Sequence, residues 1–404
     1  NGDILFSASN TVISSSWNGF SDDASGLQSY EYAIGTEPGE TNILDWLNVG
    51  LSINAVAENL SLVNGTEYYI SVRATDIAGN TSTIVTSNGF IVDTEAPLGV
   101  FIYDNSSEED QDWTNIDNEL SANWAFEDLL SGIASYQYAI GTNEGTTNII
   151  SWTETGLETS FESPSLSLQG GVTYFISVRA IDVAGNTSAP LISDGITLDL
   201  EKPVVLEVLE THGNVNEIDY TNQTDTLTIR WVGEDDLSGL EKYEVWFGNE
   251  DGTTLVDWTE IIEQNEWTLN NLDLEHANQY VAKVKATDNA GNESLILSSD
   301  GVLVDIESPI AGIVLDGVDN DEEFTSNLNT LIISWQGFMD DVSGIEFFEY
   351  AIGSSPELTN VVPFTIAGIN TNVMIDTLSL VNGEIYYGMV RATDSAANIS
   401  SISV

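Results

Sequence analysis

The stretch Tyr68–Asp76, YYISVRATD, returns as YFISVRAID ending at Asp182, YVAKVKATD ending at Asp288 and YYGMVRATD ending at Asp394, always 106 residues on. Self-similarity at a fixed period marks an array of like units. The motifs DTEAP, DLEKP and DIESP close on Pro97, Pro203 and Pro309 at the same spacing. They divide the chain into repeats 1–97, 98–203, 204–309 and 310–404. A length of 404 residues agrees with three or four domains of about 100 to 150 residues each. The two ends are out of phase: 16 residues precede Trp17 where 26 separate Pro97 from Trp124, and Val404 lies 10 residues after Asp394 where Pro203 lies 21 after Asp182. Repeat 1 is therefore expected to lack its first strand and repeat 4 its last, as in a segment of a longer array.

Within each repeat the hydrophobic period is two. Ile13, Ser15 and Trp17 alternate toward one face, as do Leu120, Ala122 and Trp124, Leu227, Ile229 and Trp231, and Leu331, Ile333 and Trp335. Short alternating segments between clusters of Gly, Asn, Asp and Ser predict an all-β chain of four tandem antiparallel sandwiches in an extended array, without helices. With 42% hydrophobic residues, 10 Trp, 14 Tyr and 13 Phe, the chain is too apolar for a disordered acidic tail. Its 65 acidic against 8 basic residues give a formal charge of −57, which repels polyanions and excludes nucleic acid as a partner. Cysteine is absent, which removes disulfides and thiolate chemistry. No run of about 18 apolar residues suits a membrane span, so membrane insertion of this segment is not expected.

The early Trp strand, the following Tyr-rich strand and a Leu-x5-Tyr spacing resemble fibronectin type III and related immunoglobulin-like modules over essentially the whole chain. That spacing holds at Leu62 and Tyr68, Leu168 and Tyr174, Leu274 and Tyr280, and Leu380 and Tyr386. The resemblance implies a tyrosine corner, a buried ring whose hydroxyl caps upstream backbone. The D-x-S-G loop, the A-x-D-x-A-G-N-x-S turn and the D-x-E-x-P linker look more specifically like tandem modules of large bacterial surface proteins and adhesins. No RGD tripeptide occurs.

In such a sandwich the loop after the Trp strand and the turn after the Tyr strand share one pole, which faces the preceding module's linker. Three acidic elements are therefore expected to meet at each joint. The first joint gathers Asp93, Glu95, Asp128, Asp182 and Asn186; the second Asp199, Glu201, Asp235, Asp236, Asp288 and Asn292; the third Asp305, Glu307, Asp340, Asp341, Asp394 and Asn398. Asp22, Asp23, Asp76 and Asn80 occupy the same positions in repeat 1. Carboxylates about 4 Å apart repel by about 4 kcal/mol at an effective dielectric of 20, so a converging set splays or binds a cation. Calcium suits carboxylates, amide and main-chain oxygens, whereas zinc or copper would call for His and Cys. The arrangement is similar to cadherin linkers, with a shorter linker and fewer ions per joint. The competing explanation is turn chemistry alone, because Asp, Asn, Ser and Gly are what tight turns require. Leu129 replaces the second loop Asp in repeat 2 and Ala397 the turn Gly in repeat 4, so the first and third joints are open to a difference in ion number.

No catalytic constellation stands out. His212 and His276 sit at unrelated repeat positions, and no glycine-rich phosphate loop follows a strand. Trp46, Trp152 and Trp258 recur with Phe364 at the fourth position. They read either as edge packing or as a ladder of sugar-stacking platforms. Arg73, Arg179, Lys285 and Arg391 share one outward position and predict local ion pairs across the sheet. The expected function is a non-enzymatic segment of an extracellular bacterial adhesin, stalk or filament, stiffened by calcium at its joints. Its partners would be neighbouring repeats, further copies in a homo-oligomeric filament, or a host, prey or polysaccharide surface. The alternatives are a polysaccharide-binding array using the recurrent Trp residues and a passive spacer in a secreted hydrolase.

Overall fold

A computed structural model describes residues 4–106, 109–213, 216–318 and 320–404. All regular structure among them is β, and no helix is long and apolar enough to cross a membrane. The chain forms two units, Asn1–Leu200 and Glu201–Val404.

The second half of the first unit shows the pattern most completely. Glu119–Glu127 pairs antiparallel with Leu98–Tyr103 on one side and Ser160–Pro164 on the other, giving a three-stranded sheet. The opposing sheet runs Trp113–Thr114, Ile196–Leu198, Thr173–Asp182, Ile133–Gly141, Ile150–Gly156, and its Trp113–Thr114 edge is parallel to Ile196–Leu198. Alternation along Glu119–Glu127 buries Leu120, Ala122, Trp124 and Phe126 against Tyr174, Ile176, Val178 and Ala180 of the facing strand. Trp124 meets Tyr136 edge to face with ring centroids 5.9 Å apart, which specifies the packing beyond simple burial. In the second unit Thr226–Glu234 plays the same part between Val204–Thr211 and Glu266–Asn270, and Leu331–Gln336 between Ile313–Asp316 and Asn372–Ile375. These are the tandem all-β, fibronectin type III-like sandwiches that the sequence resembles.

The tyrosine corner is present in all four repeats. Tyr68 Oη accepts the Val63 N–H at 2.8 Å, Tyr174 that of Gln169 at 2.7 Å, Tyr280 that of Glu275 at 2.9 Å and Tyr386 that of Val381 at 2.8 Å. Each bond occupies a main-chain donor that the chain reversal leaves outside any ladder. In repeat 1 the sheet opposite the Tyr strand has two strands among the described residues, Ile13–Ser16 and Asn54–Ala57. An open groove lined by Ile13, Trp17, Val72 and Val85 lies beside it. In repeat 4, Val390 and Ser403 make an isolated bridge where repeats 1 to 3 have a short paired strand.

Candidate metal centres

The first loop at the shared pole is organised by one aspartate. Asp128 Oδ1 accepts the N–H groups of Leu130, Ser131 and Gly132 at 3.2, 2.9 and 2.6 Å. Asp340 Oδ1 accepts those of Val342, Ser343 and Gly344 at 3.2, 2.9 and 2.8 Å. A short carboxylate that satisfies successive amides is why D-x-x-S-G folds locally. The following Gly132 and Gly344 take positive φ of 77° and 72°.

The second loop repeats the device at the end of the Tyr strand. Asp182 Oδ1 accepts the N–H groups of Gly185 and Asn186 at 2.6 and 2.8 Å, and its Oδ2 accepts Asn186 Nδ2 at 2.7 Å. Asp394 accepts the N–H and Nδ2 of Asn398 at 2.7 and 2.9 Å. Ala397 holds φ 70° where Gly185 has 101°, so the turn survives the replacement at a modest strain.

The linker brings the third carboxylate. Asp93 is fully buried, takes the Glu95 N–H on Oδ1 at 3.1 Å and the Ser131 N–H on Oδ2 at 3.1 Å. Asp305 is equally buried and takes the Ser343 N–H at 3.2 Å and the Ser343 hydroxyl at 2.6 Å on Oδ2. One oxygen each from Asp93, Asp128 and Asp182 lie within 4.8 Å of one another, and the same holds for Asp305, Asp340 and Asp394. Among the described residues no Lys or Arg pairs with any of these six. His276 does approach the third joint, its Nδ1 3.5 Å from Asp305 Oδ1.

Burial, and then the charges of Asp305 and Asp340, push the Asp394 carboxyl above its usual range despite opposing hydrogen bonds from Asn398. At the same position in repeat 1, Asp76 is held below that range, chiefly by Asn80. Asp22 is lowered likewise, by the Ser25 and Gly26 amides. Repeat 1 thus has both loops, and no carboxylate trio forms at them among the described residues.

Other residues expected at the joints add no carboxylate to the two trios. Glu95 and Glu307 contribute main-chain groups while their side chains are exposed. The second loop acids Asp23, Asp236 and Asp341 are exposed too, and Leu129, which replaces one of them, is 97% exposed. The first and third trios therefore have the same composition despite that replacement. Asn186 and Asn398 each donate through Nδ2 at the joint. Asn186 Nδ2 reaches the main-chain oxygens of Asp93 and Glu95 at 2.8 and 3.2 Å. Asn398 Nδ2 reaches that of Asp305 at 2.8 Å, while its Oδ1 faces Asn222 Nδ2 at 3.3 Å.

The residues expected at the second joint are divided between the two units. The Asp199 N–H donates to Thr114 O at 2.8 Å. Glu201 is exposed. Asp235 accepts the Leu237 and Gly239 amides, and Asp288 accepts the N–H and Nδ2 of Asn292, as in the other loops.

Two further acidic trios were missed by sequence reasoning: Asp104, Asp110 and Asp194, and Glu210, Glu217 and Asp300. The signal was the period itself, since Asp104 and Glu210, and Asp194 and Asp300, are each 106 residues apart. It was masked by the abundance of acids in every loop.

The recurrent aromatics are half-buried and capped by the recurrent cations. Arg73 lies 4.2 Å over the Trp46 ring, Arg179 4.3 Å over Trp152, Lys285 5.9 Å over Trp258 and Arg391 4.2 Å over Phe364. The cations are held by Glu31, Glu244 and Glu349 at 2.9, 2.6 and 2.7 Å, and in repeat 2 by Gln137 at 2.8 Å. One face of each ring is thus occupied, which favours edge packing over sugar platforms.

No protein-family profile matches the chain. Exoglucanase B of Cellulomonas fimi is 29% identical over 275 residues, 65% of this chain, and the match spans 22% of that curated relative's length. Among solved structures the chain is similar to the chicken CNTN1 FN1-FN3 domains at 16% identity, covering 75% of this chain and 96% of that one with a TM-score of 0.33. A tetra-tandem repeat in the extending region of a large adhesion protein has 14% identity, coverage of 98% and 96%, and a TM-score of 0.30. A two-domain fibronectin type III segment from chicken tenascin has 15% identity, coverage of 51% and 98%, and a TM-score of 0.21.

Proposed function

We propose that this chain is a non-catalytic structural segment of a long extracellular bacterial protein, an adhesin or stalk, whose joints are stiffened by calcium. The observation that carries the reading is the recurrence of one trio. A linker carboxylate with no exposed surface meets two loop carboxylates of the following sandwich within 4.8 Å, once in each unit, without a Lys or Arg counterion among the described residues. Three like charges at such distances oppose one another by a few kcal/mol per pair at an effective dielectric of about 20. An oxygen-seeking divalent cation removes that repulsion, and calcium accepts the irregular geometry and completes its shell with main-chain oxygens and water. Bridging Asp93 to Asp128 and Asp182 would fix the linker against the next sandwich, which is how ion binding becomes stiffness.

The test is calorimetric titration of the full chain with calcium chloride, paired with small-angle scattering in calcium and in chelator. Saturable heat with reduced interdomain flexibility supports the reading. Absence of heat together with identical scattering overturns it.

A second reading is favoured by the similarity to an exoglucanase: a spacer beside a catalytic domain that acts on polysaccharide. It shares the joints and differs in what the segment carries. Attached to a glucan hydrolase, the segment should alter reach on insoluble substrate and leave turnover of soluble substrate unchanged.

A further inference from the structure

We propose a second kind of divalent-cation site, internal to the sandwich rather than at its joint, formed by Asp104, Asp110 and Asp194 in repeat 2 and by Glu210, Glu217 and Asp300 in repeat 3. Each trio offers one oxygen per residue within 4.8 Å of the others.

The decisive feature is a carboxylate oxygen buried with nothing to accept from. Asp104 follows the strand Leu98–Tyr103 and is 0% exposed. Its Oδ2 accepts the Gly195 N–H at 2.9 Å, and Oδ1 is buried without a hydrogen-bond partner among the described residues. Gly195 has φ 103°, and a Cβ there would stand 2.8 Å from Thr173 Cγ2 and Phe175 Cε1, so the backbone aimed at Asp104 requires glycine. Glu210, in the strand Val204–Thr211, is also 0% exposed. Its Oε1 accepts the Ala282 N–H at 3.0 Å and the Ser299 hydroxyl, and Oε2 is buried and unpartnered among the described residues. Buried polar groups in native proteins are paired, and an exception calls for an ion, a water or a proton.

The surroundings select the cation. The groups that close on each buried carboxylate are exposed acids, Asp110 and Asp194 in one repeat, Glu217 and Asp300 in the other, and no Lys or Arg pairs with them among the described residues. A buried proton would satisfy one oxygen and leave two further negative groups converging on it. A hard divalent ion neutralises all three, and the exposed pair leaves room for the waters that calcium retains. In repeat 1, Asn88 stands where Asp194 and Asp300 stand later, and no such trio forms there among the described residues.

The site has a mechanical consequence. Asp104 directly follows the first strand of its sandwich and Glu210 lies within that of the next, the strands that continue from the linker prolines Pro97 and Pro203. Asp194 and Asp300 sit in the closing turn, before Ile196–Leu198 and Val302–Val304. A bound ion clamps the first strand to the last, so that tension entering through the linker does not peel it away.

The test uses the full chain with calcium chloride as the probe, at about 0.15 M salt or above to screen diffuse binding. Tightly held calcium is counted after dialysis, and amide exchange is followed over Leu98–Tyr103 and Val204–Thr211. The double substitution Asp194→Asn, Asp300→Asn removes exposed acids and leaves the core intact. It should lower the count by two ions and abolish calcium-dependent protection of both strands. The charge-matched control Glu144→Gln, Glu357→Gln should change neither. An unchanged count in the first variant, or equal loss in the control, overturns the proposal. The joints are probed separately by Asp182→Asn, Asp394→Asn. If that variant keeps all its ions while the Asp194, Asp300 variant loses two, the internal sites stand and the joint reading falls.

Discussion

Asn186 Nδ2 donates to the main-chain oxygen of Asp93 across 2.8 Å, and Asn398 makes the same bond to Asp305 at the same length. In both, the amide also holds its own loop's aspartate, so a single side chain ties the linker to the turn that supplies the second loop carboxylate. The joint is thereby shaped by hydrogen bonds alone. A preorganised set of oxygens loses less freedom on binding than a loose one.

Asn186→Asp replaces the donor with an acceptor facing carbonyl oxygens and a carboxylate. Leaving those acceptors unmet costs on the order of 1 to 3 kcal/mol. Hydrogen exchange at the amides of Glu95 and Ser131 should accelerate in this variant. Unchanged exchange would mean that the amide is not a strap.

The two internal acids make metal-free stability depend on pH. Burial above all pushes Asp104 up to about 7, opposed by Ser193 and Gly195 and reinforced by Asp110 and Asp194. Burial likewise pushes Glu210 up to about 7, against hydrogen bonds from Ser299 and Ala282. Between about pH 4 and 7 the folded chain holds more protons than the unfolded one, so stability falls as pH rises through that window and stays low above it. The lowered Asp22 and Asp76 act with the opposite sign and only in more acid solution. In chelator the thermal midpoint should therefore rise from about pH 7.5 to 5, and calcium should raise it most at the upper end. Asp104→Asn with Glu210→Gln should flatten the chelator profile.

Tyr174→Phe and Tyr280→Phe each delete the acceptor for one upstream N–H, of Gln169 and Glu275 respectively. A loss of about 1 to 2 kcal/mol is expected for each. Chemical denaturation of the two variants measures it, and no loss would show that water replaces the hydroxyl.

Trp152→Ala removes a half-buried ring together with its contact to Arg179, 4.3 Å above it. The expected effect is a lower unfolding midpoint with no change in retention on insoluble glucan. Arg73→Ala should cost only about 0 to 1 kcal/mol, because its pair with Glu31 is partly exposed. Loss of glucan retention in the Trp152 variant would restore the platform reading.

The repeats, the strands and the tyrosine corners could be read from the chain because each depends on short-range spacing. Alternation at period two decides which side chains face the core, and Leu-x5-Tyr sets hydroxyl and amide five residues apart. The Asp128 and Asp182 loops were legible for the same reason, their donors lying within four residues. Tertiary structure alone decided that Asn186 donates, that Glu95 and Asp341 turn away, and that Asp104 and Glu210 lose all exposure. Those outcomes follow from the approach of segments some 70 to 90 residues apart, as between Glu210 and Ala282 or Asp93 and Asn186. Where two sheets close, position rather than residue type determines which carboxylate keeps its water and which must find another partner.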